Sequence, residues 1–508
     1  MKKWNVLWLM FLACTGQAQQ IELSPRSKQS EKWANTITES ELKDHLYTYA
    51  SDAFEGRETG TKGQKIAVEY LKAHYKSLQI APAQANGDYE QDIELVLKKL
   101  PKGQLTFQGQ SLENGTGIMA YAAFEFSKTP VVYVGYGVNT PEHNDYQGLD
   151  VRGKIVMAKA GAPMLPALAD GSTSDWAKQS EGLERKQKAA FEQGAVGFIY
   201  WDEAAFARLK RRFDYMKQND SGRMSIKALE SQANAMIYVD QATALLLHPS
   251  IGESADAASL GTVEAGIKSE DVSIDSENVV AFIPGSEFPE QYVVISSHLD
   301  HVGVLADGSV NNGADDDGSG SVALLEIAEA FKLASDAGQG PRRSVVFLHV
   351  TGEEKGLLGS QYYTDVAPVF PLNKTIANLN IDMIGRIDPE RKGDRNYVYL
   401  IGSDKLSTEL HDLSEAVNKK FMGIELDYTY NDENDPNRFY YRSDHYNFAK
   451  NNIPIIFYFN GTHEDYHKPS DTPDKINYDL LTNRTRLVFH TAWEVANRDK
   501  AIVADKAQ

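Results

Sequence analysis

The stretch from Tyr292 to Gly320, YVVISSHLDHVGVLADGSVNNGADDDGSG, constrains this chain more than any other. Its first residues, Tyr292 to Ile295, form an apolar run suited to a buried strand. The run ends in Ser-Ser-His298-Leu-Asp300-His301, so polar side chains stand where the strand stops, which is where α/β sheets carry their sites. A Gly/Asn-rich loop then leads to Asp315, Asp316 and Asp317, followed by Gly318-Ser-Gly320 and a helical pattern with Leu324, Ala328 and Phe331 on one face. Three adjacent anions repel one another, and a helix N-terminus offsets only about 0.3 to 1 kcal/mol per charge. A bound cation would offset far more. Either feature alone reads as a solvated loop or a surface histidine; together they point to a metal site.

Similar strand ends recur along the C-terminal half. The strand expected over 344–350 runs into Thr351-Gly352-Glu353-Glu354, and the one over 376–381 into Asp382, an acid set among apolar residues where burial without a partner is costly. The strand expected over 453–459 leads to His463, Glu464, Asp465 and His467. From Asn278 onward such runs alternate with helical patterns, which predicts a mostly parallel central sheet flanked by helices. Two histidines and three carboxylates from separate strand ends have the ligand count of a two-metal site with one bridging acid.

Upstream, helices are expected around 42–53 and 66–78, separated by a Gly-rich loop, FEGRETGTKGQ, with Arg57 at its centre. After Gln91 the texture changes to short strands and turns, with 131–138, 154–161 and 196–201 as the clearest apolar runs. A polar stretch, 219–235, reads as a loop or an edge. This middle region carries few acid and histidine clusters and is read as an inserted, mainly-β domain. The expected boundaries are 19–104 and 269–508 for the two parts of the main domain and 105–268 for the insert.

Residues 1–18 have the two lysines, short apolar core and small-residue exit of a secretory signal, cleaved after Ala18. This predicts an exported protein, periplasmic or secreted. The single cysteine, Cys14, follows Phe11-Leu12-Ala13 and only approximates a lipoprotein signal, so a lipid anchor there is the minority reading. No later stretch is long and apolar enough to span a bilayer. A mature chain without cysteine forms no disulfide, which leaves His, Asp and Glu as ligands. The formal charge of −19 over 508 residues argues against nucleic acid as a partner. Ser443-Asp444-His445 holds the letters of a serine hydrolase triad, but consecutive side chains do not converge, and Ser443 is expected to cap a helix.

Taken in order, HLDH, GADDDGSG, TGEEKGLLGS, NLNIDMIG and YHKPSDTP resemble the motifs of metallopeptidase family 28, the two-zinc exopeptidases that include bacterial leucyl aminopeptidase and glutamate carboxypeptidase. The middle region, notably VVYVGYGV and KAAFEQGAVGFIYW, more softly resembles a protease-associated domain. The resemblance implies that Asp316 bridges two Zn²⁺, that His298 and Asp382 complete one site and Glu354 and His467 the other, and that Glu353 is the general base. It also implies that Asp300 orients the His298 imidazole and that the Asp316–Asp317 peptide bond is cis. The implied activity is hydrolysis of terminal bonds in peptides or protein termini, read as an aminopeptidase. A carboxypeptidase or dipeptidase using Arg438 or Arg442 is the alternative, and a non-hydrolytic peptide-binding protein or a glutaminyl cyclase-like transferase are further readings.

Overall fold

Strand-forming runs that are apolar at every position, such as Val293-Val294-Ile295 and Val345-Val346-Phe347-Leu348, require a sheet buried on both faces. The computed structural model, which describes residues 21–164, 175–219, 221–230 and 234–507, has such a sheet. The expected leader and Cys14 lie outside the described residues. The chain divides into two compact units, one of residues 1–93 with 276–508 and one of residues 94–275. The insert expected at 105–268 falls inside the second unit. Both divisions lie within strands, Glu90–Lys99 and Val272–Ile283, so no Pro- or Gly-rich linker marks them in the sequence.

In the first unit the strands run in the order Glu425–Asp427, Tyr397–Ile401, Ile455–Phe459, Thr375–Ile381, Phe288–His298, Arg343–Val350 and Val272–Ile283. The four neighbours from Ile455–Phe459 to Arg343–Val350 are mutually parallel, and Val272–Ile283 and Tyr397–Ile401 flank them antiparallel. Alternate residues serve opposite faces. Val293 and Ile295 pack with Phe331, Trp493 and Leu487 of the helices Gly320–Asp336 and Tyr478–Asn497, whereas Val294 packs with Val346, Tyr363 and Phe448 on the other side. The parallel register places His298 opposite Val350, and Ile381 opposite Tyr458. The loops after all four strands therefore open at one edge of the sheet.

The second unit holds an eight-stranded sheet whose centre, Phe124–Tyr133, Ile155–Lys159, Gly197–Trp201 and Ala235–Val239, is parallel. Helices Gln179–Glu192, Glu203–Gln218 and Gln241–Leu247 accompany it. The run expected over 131–138 stops at Tyr133, because Gly135 and Gly137 turn the chain with φ of 70° and 73°. Within the polar 219–235 stretch, Gly222–Ile226 is a strand paired antiparallel with Leu95–Lys99. No helix among the described residues is long and apolar enough to cross a membrane.

Candidate active site

The loops that leave the parallel strands bring His298, Asp316, Asp382, Glu354 and His467 together. On one side His298 Nε2 lies 3.2 Å from Asp316 Oδ1 and 3.5 Å from Asp382 Oδ1. On the other, His467 Nε2 lies 3.0 Å from Asp316 Oδ2 and 3.1 Å from Glu354 Oε2. Asp316 offers one oxygen to each side. The histidine and acid side chains of the first group are at most 10% exposed. His298 Nε2 and Asp316 Oδ2 nevertheless make no hydrogen bond, and neither does Glu354 Oε1. Buried polar atoms left orphaned in this way are costly.

These separations fit a metal. A tetrahedral zinc with bonds of about 2.0 to 2.1 Å has ligand atoms about 3.3 Å apart, close to the spacing of both groups. Donors that converge at such distances without hydrogen-bond geometry are what a cation between them would produce.

Which of the three adjacent acids faces the cleft is decided by capture of the other two. Asp315 accepts the Gly385 N–H at 2.6 Å and faces His463 Nε2 at 3.2 Å. Asp317 accepts the backbone N–H groups of His298, Gly320 and Met383. Asp316 alone is left to the cleft, and its backbone N–H is held, with that of Asp315, by Asp471 Oδ2. The turn at Ala314–Ser319 is non-helical at Asp316 and Asp317, and the bond between them is cis, as expected. His467 takes a left-handed φ of 55°, rare for a residue with a side chain, as does Met383 beside Asp382 at 58°.

Other expected roles come out differently in detail. His298 Nδ1 faces the Asp300 carbonyl at 3.0 Å; the Asp300 carboxylate is 4.0 Å away and instead accepts the Glu353 N–H at 3.1 Å and the Thr59 hydroxyl at 2.7 Å. Asp300 thus joins the His298 loop to the Glu353 loop. Ser443 is not a helix cap. The short helix His445–Ala449 starts after Asp444 with no side-chain cap, and Ser443 Oγ donates to Asp382 Oδ2 at 2.6 Å while accepting from Asn380. Of the further candidates, His463 serves Asp315, while Asp465 pairs with Arg386 and Lys475.

His301 was missed. Fully buried, it places Nδ1 2.9 Å from Glu354 Oε1 and 3.8 Å from Asp316 Oδ2, so it competes with His467 for the second group. The His467 spacings are the more even, and His301 reaches the other oxygen of Glu354. The only signal in the sequence was the H-x-D-H spacing.

Electrostatics follow the crowding. Burial and the neighbouring Glu354, Asp382 and Asp444 carboxylates push Glu353 well above the usual carboxylate range, although His298 opposes them. His467, despite burial, is held up at about 10 by Asp316 and Glu354. Glu353, Asp316 and Asp382 line a cleft walled by Met383, Phe439, Phe457 and Phe459, with Arg442 and Tyr466 in reach of one another at 3.4 Å.

Residues 278–492 match the model of peptidase family M28. The chain carries an M28 domain. It is 31% identical over 198 residues to leupeptin-inactivating enzyme 1 of Streptomyces exfoliatus, covering 39% of this chain and 38% of that protein. It is 31% identical over 251 residues to a probable leucine aminopeptidase of Trichophyton verrucosum (47% and 63%) and 38% over 109 residues to carboxypeptidase Q of Xenopus laevis (22% and 20%). The match thus spans less than two thirds of each of these relatives. In fold, the chain is similar to an aminopeptidase from Aneurinibacillus sp. strain AM-1, with a TM-score of 0.51 and 19% identity over 94% of this chain and 98% of that one. The M28 match takes in His298, Asp316, Glu353, Glu354, Asp382 and His467, and lies wholly within the first unit.

Proposed function

We propose that this protein is a two-zinc exopeptidase acting on the amino terminus of peptides. The observation that carries the reading is the pair of donor groups sharing Asp316, with spacings of 3.0 to 3.5 Å and orphaned buried atoms. His298 and Asp382 would hold one ion, Glu354 and His467 the other, and mixed nitrogen and carboxylate ligands favour zinc. Bound there, the ions supply a water of lowered pKa and polarise the scissile carbonyl.

The chain's own groups do the rest. Glu353 accepts a proton from the attacking water at its carboxylate and returns it to the leaving amine; its raised proton affinity suits both halves of that cycle. Asp300 fixes the Glu353 backbone. Met383, Phe439, Phe457 and Phe459 offer an apolar wall to the first side chain and exclude water. The longer match to a leucine aminopeptidase supports amino-terminal action. The leader pattern in residues 1–18 supports action outside the cytoplasm.

One observation favours a second reading within the same chemistry. Arg442 lines the same cleft and would meet a free carboxylate, as a dipeptidase or carboxypeptidase requires. A panel of aminoacyl and carboxyl-terminal fluorogenic peptides, with and without chelator, separates the two. Aminoacyl turnover abolished by chelator, with two zincs per active chain by metal analysis, is expected. A single tightly held ion in the fully active enzyme would overturn the bridging role of Asp316.

A further inference from the structure

The Gly-rich loop around Arg57 supplies none of the donors above, yet it is tied to every loop that does so near His298, Asp316 and Glu354. Arg57 is 1% exposed, with φ of 50°. Its guanidinium donates from Nε to the Leu299 carbonyl at 3.2 Å, from Nη1 to those of Tyr49 at 3.2 Å and Asn312 at 2.8 Å, and from Nη2 to that of Gly313 at 2.9 Å. The Tyr49 ring lies 4.7 Å from the guanidinium carbon, and its hydroxyl donates to the same Leu299 carbonyl at 3.1 Å. Neighbouring residues extend the clip. The Arg57 and Gly56 carbonyls accept from His301 and Gly303, Thr59 donates to Asp300, and Glu58 pairs with Lys355, next to Glu354, at 2.7 Å. A Cβ at Gly56 would come within 2.6 Å of the Asn311 and Gly303 carbonyls, so the loop is pressed against both segments.

A buried cation faced by carbonyls and one aromatic ring, with no counter-ion, is an expensive way to stabilise a fold, since neutral groups alone offset its desolvation. Among the described residues no carboxylate forms an ion pair with Arg57. What the guanidinium does accomplish is geometric. Leu299 directly follows His298, and Gly313 stands three residues before Asp316, so one rigid planar fork spans the two backbones that carry the donors of a single ion. A lysine presents a point charge on a flexible stem and cannot hold both carbonyls at set separation.

We propose that Arg57 is a positioning residue for the metal centre, fixing the spacing of His298 and Asp316 so that metal affinity depends on its fork. This rests on the two-metal reading above. The test is Arg57→Lys, purified beside the unaltered protein, with Zn²⁺ affinity read by competition with a chromogenic chelator and ligand geometry read from the visible spectrum of the Co²⁺-substituted protein. Zn²⁺ affinity is expected to fall about 10- to 100-fold, as when the groups supporting ligands are lost. The Co²⁺ bands should shift and kcat should fall with little change in KM.

A purely structural role would lower the unfolding midpoint of the chelated protein but leave Zn²⁺ affinity and the Co²⁺ spectrum of the folded protein unchanged, and that result overturns the proposal. If Arg57→Lys does not fold, Tyr49→Phe removes only the second donor to the Leu299 carbonyl; a few-fold loss of affinity supports the proposal and none overturns it. Failure of the unaltered protein to bind Zn²⁺ or Co²⁺ would instead sink the two-metal reading itself.

Discussion

Glu326 lies in the helix Gly320–Asp336 with its side chain 2% exposed and Oε1 without a hydrogen-bond partner. Burial, reinforced by Glu41 and Glu329, raises its pKa from 4.5 to about 8. The base beside it, His45 at 3.6 Å, is itself held below its ordinary value by burial, so it stays neutral near pH 7. Below about pH 4.5 the carboxyl is protonated in both the folded and unfolded chain and costs nothing. As pH rises from there towards 8, the unfolded chain releases the proton and the folded one retains it, so stability falls. At about 1.4 kcal/mol per pKa unit, the loss reaches about 3 kcal/mol by pH 7 and about 5 kcal/mol above pH 8. Glu326→Gln is neutral at every pH and should remove this slope. Equilibrium urea unfolding of the metal-loaded protein should show the variant about as stable as the parent near pH 4.5 and about 3 kcal/mol more stable at pH 7. A gain independent of pH would show that packing is responsible. Destabilisation at pH 7 would show that Glu326 is ionised against a charged His45, and the reasoning would fail.

Glu353→Gln removes a base without removing a donor, so it should keep both metals while kcat drops about 10²- to 10⁴-fold; near-native kcat with both metals bound refutes the mechanism. Glu354→Ala should lose an ion, which metal analysis reads directly. Ser443→Ala deletes the 2.6 Å donation to Asp382 and should weaken metal binding about 10- to 100-fold in the same chelator competition; unchanged affinity would mean Asp382 is held by other contacts. Tyr75→Phe removes the buried contact between the Tyr75 hydroxyl and His349 at 2.7 Å and should cost about 1 to 2 kcal/mol in unfolding free energy with kcat intact.

The order of amino acids alone dictates that polar side chains end buried strands. A run such as Tyr292 to Ser297 can be satisfied only inside a sheet covered on both faces, and the residues after it must emerge at the sheet's edge. His298, Glu353, Glu354 and Asp382 were legible for that reason, and five motifs in order added the resemblance to the M28 peptidases. The helix Lys62–Ser77 lies close to the expected 66–78, and Glu39–Tyr49 overlaps the expected 42–53 but ends four residues sooner, because their apolar periodicity is local. Folding settles the features that depend on partners distant in the chain. Asp315, Asp316 and Asp317 are chemically identical neighbours, and only the N–H groups of Gly385, His298 and Met383 sort them into two structural acids and one that faces the cleft. Ser443 looked like a cap until Asp382, 61 residues earlier, took its hydroxyl. His301 and Arg57 carried no periodicity to betray them, since a buried ring and a buried guanidinium acquire their roles only from the backbone folded around them.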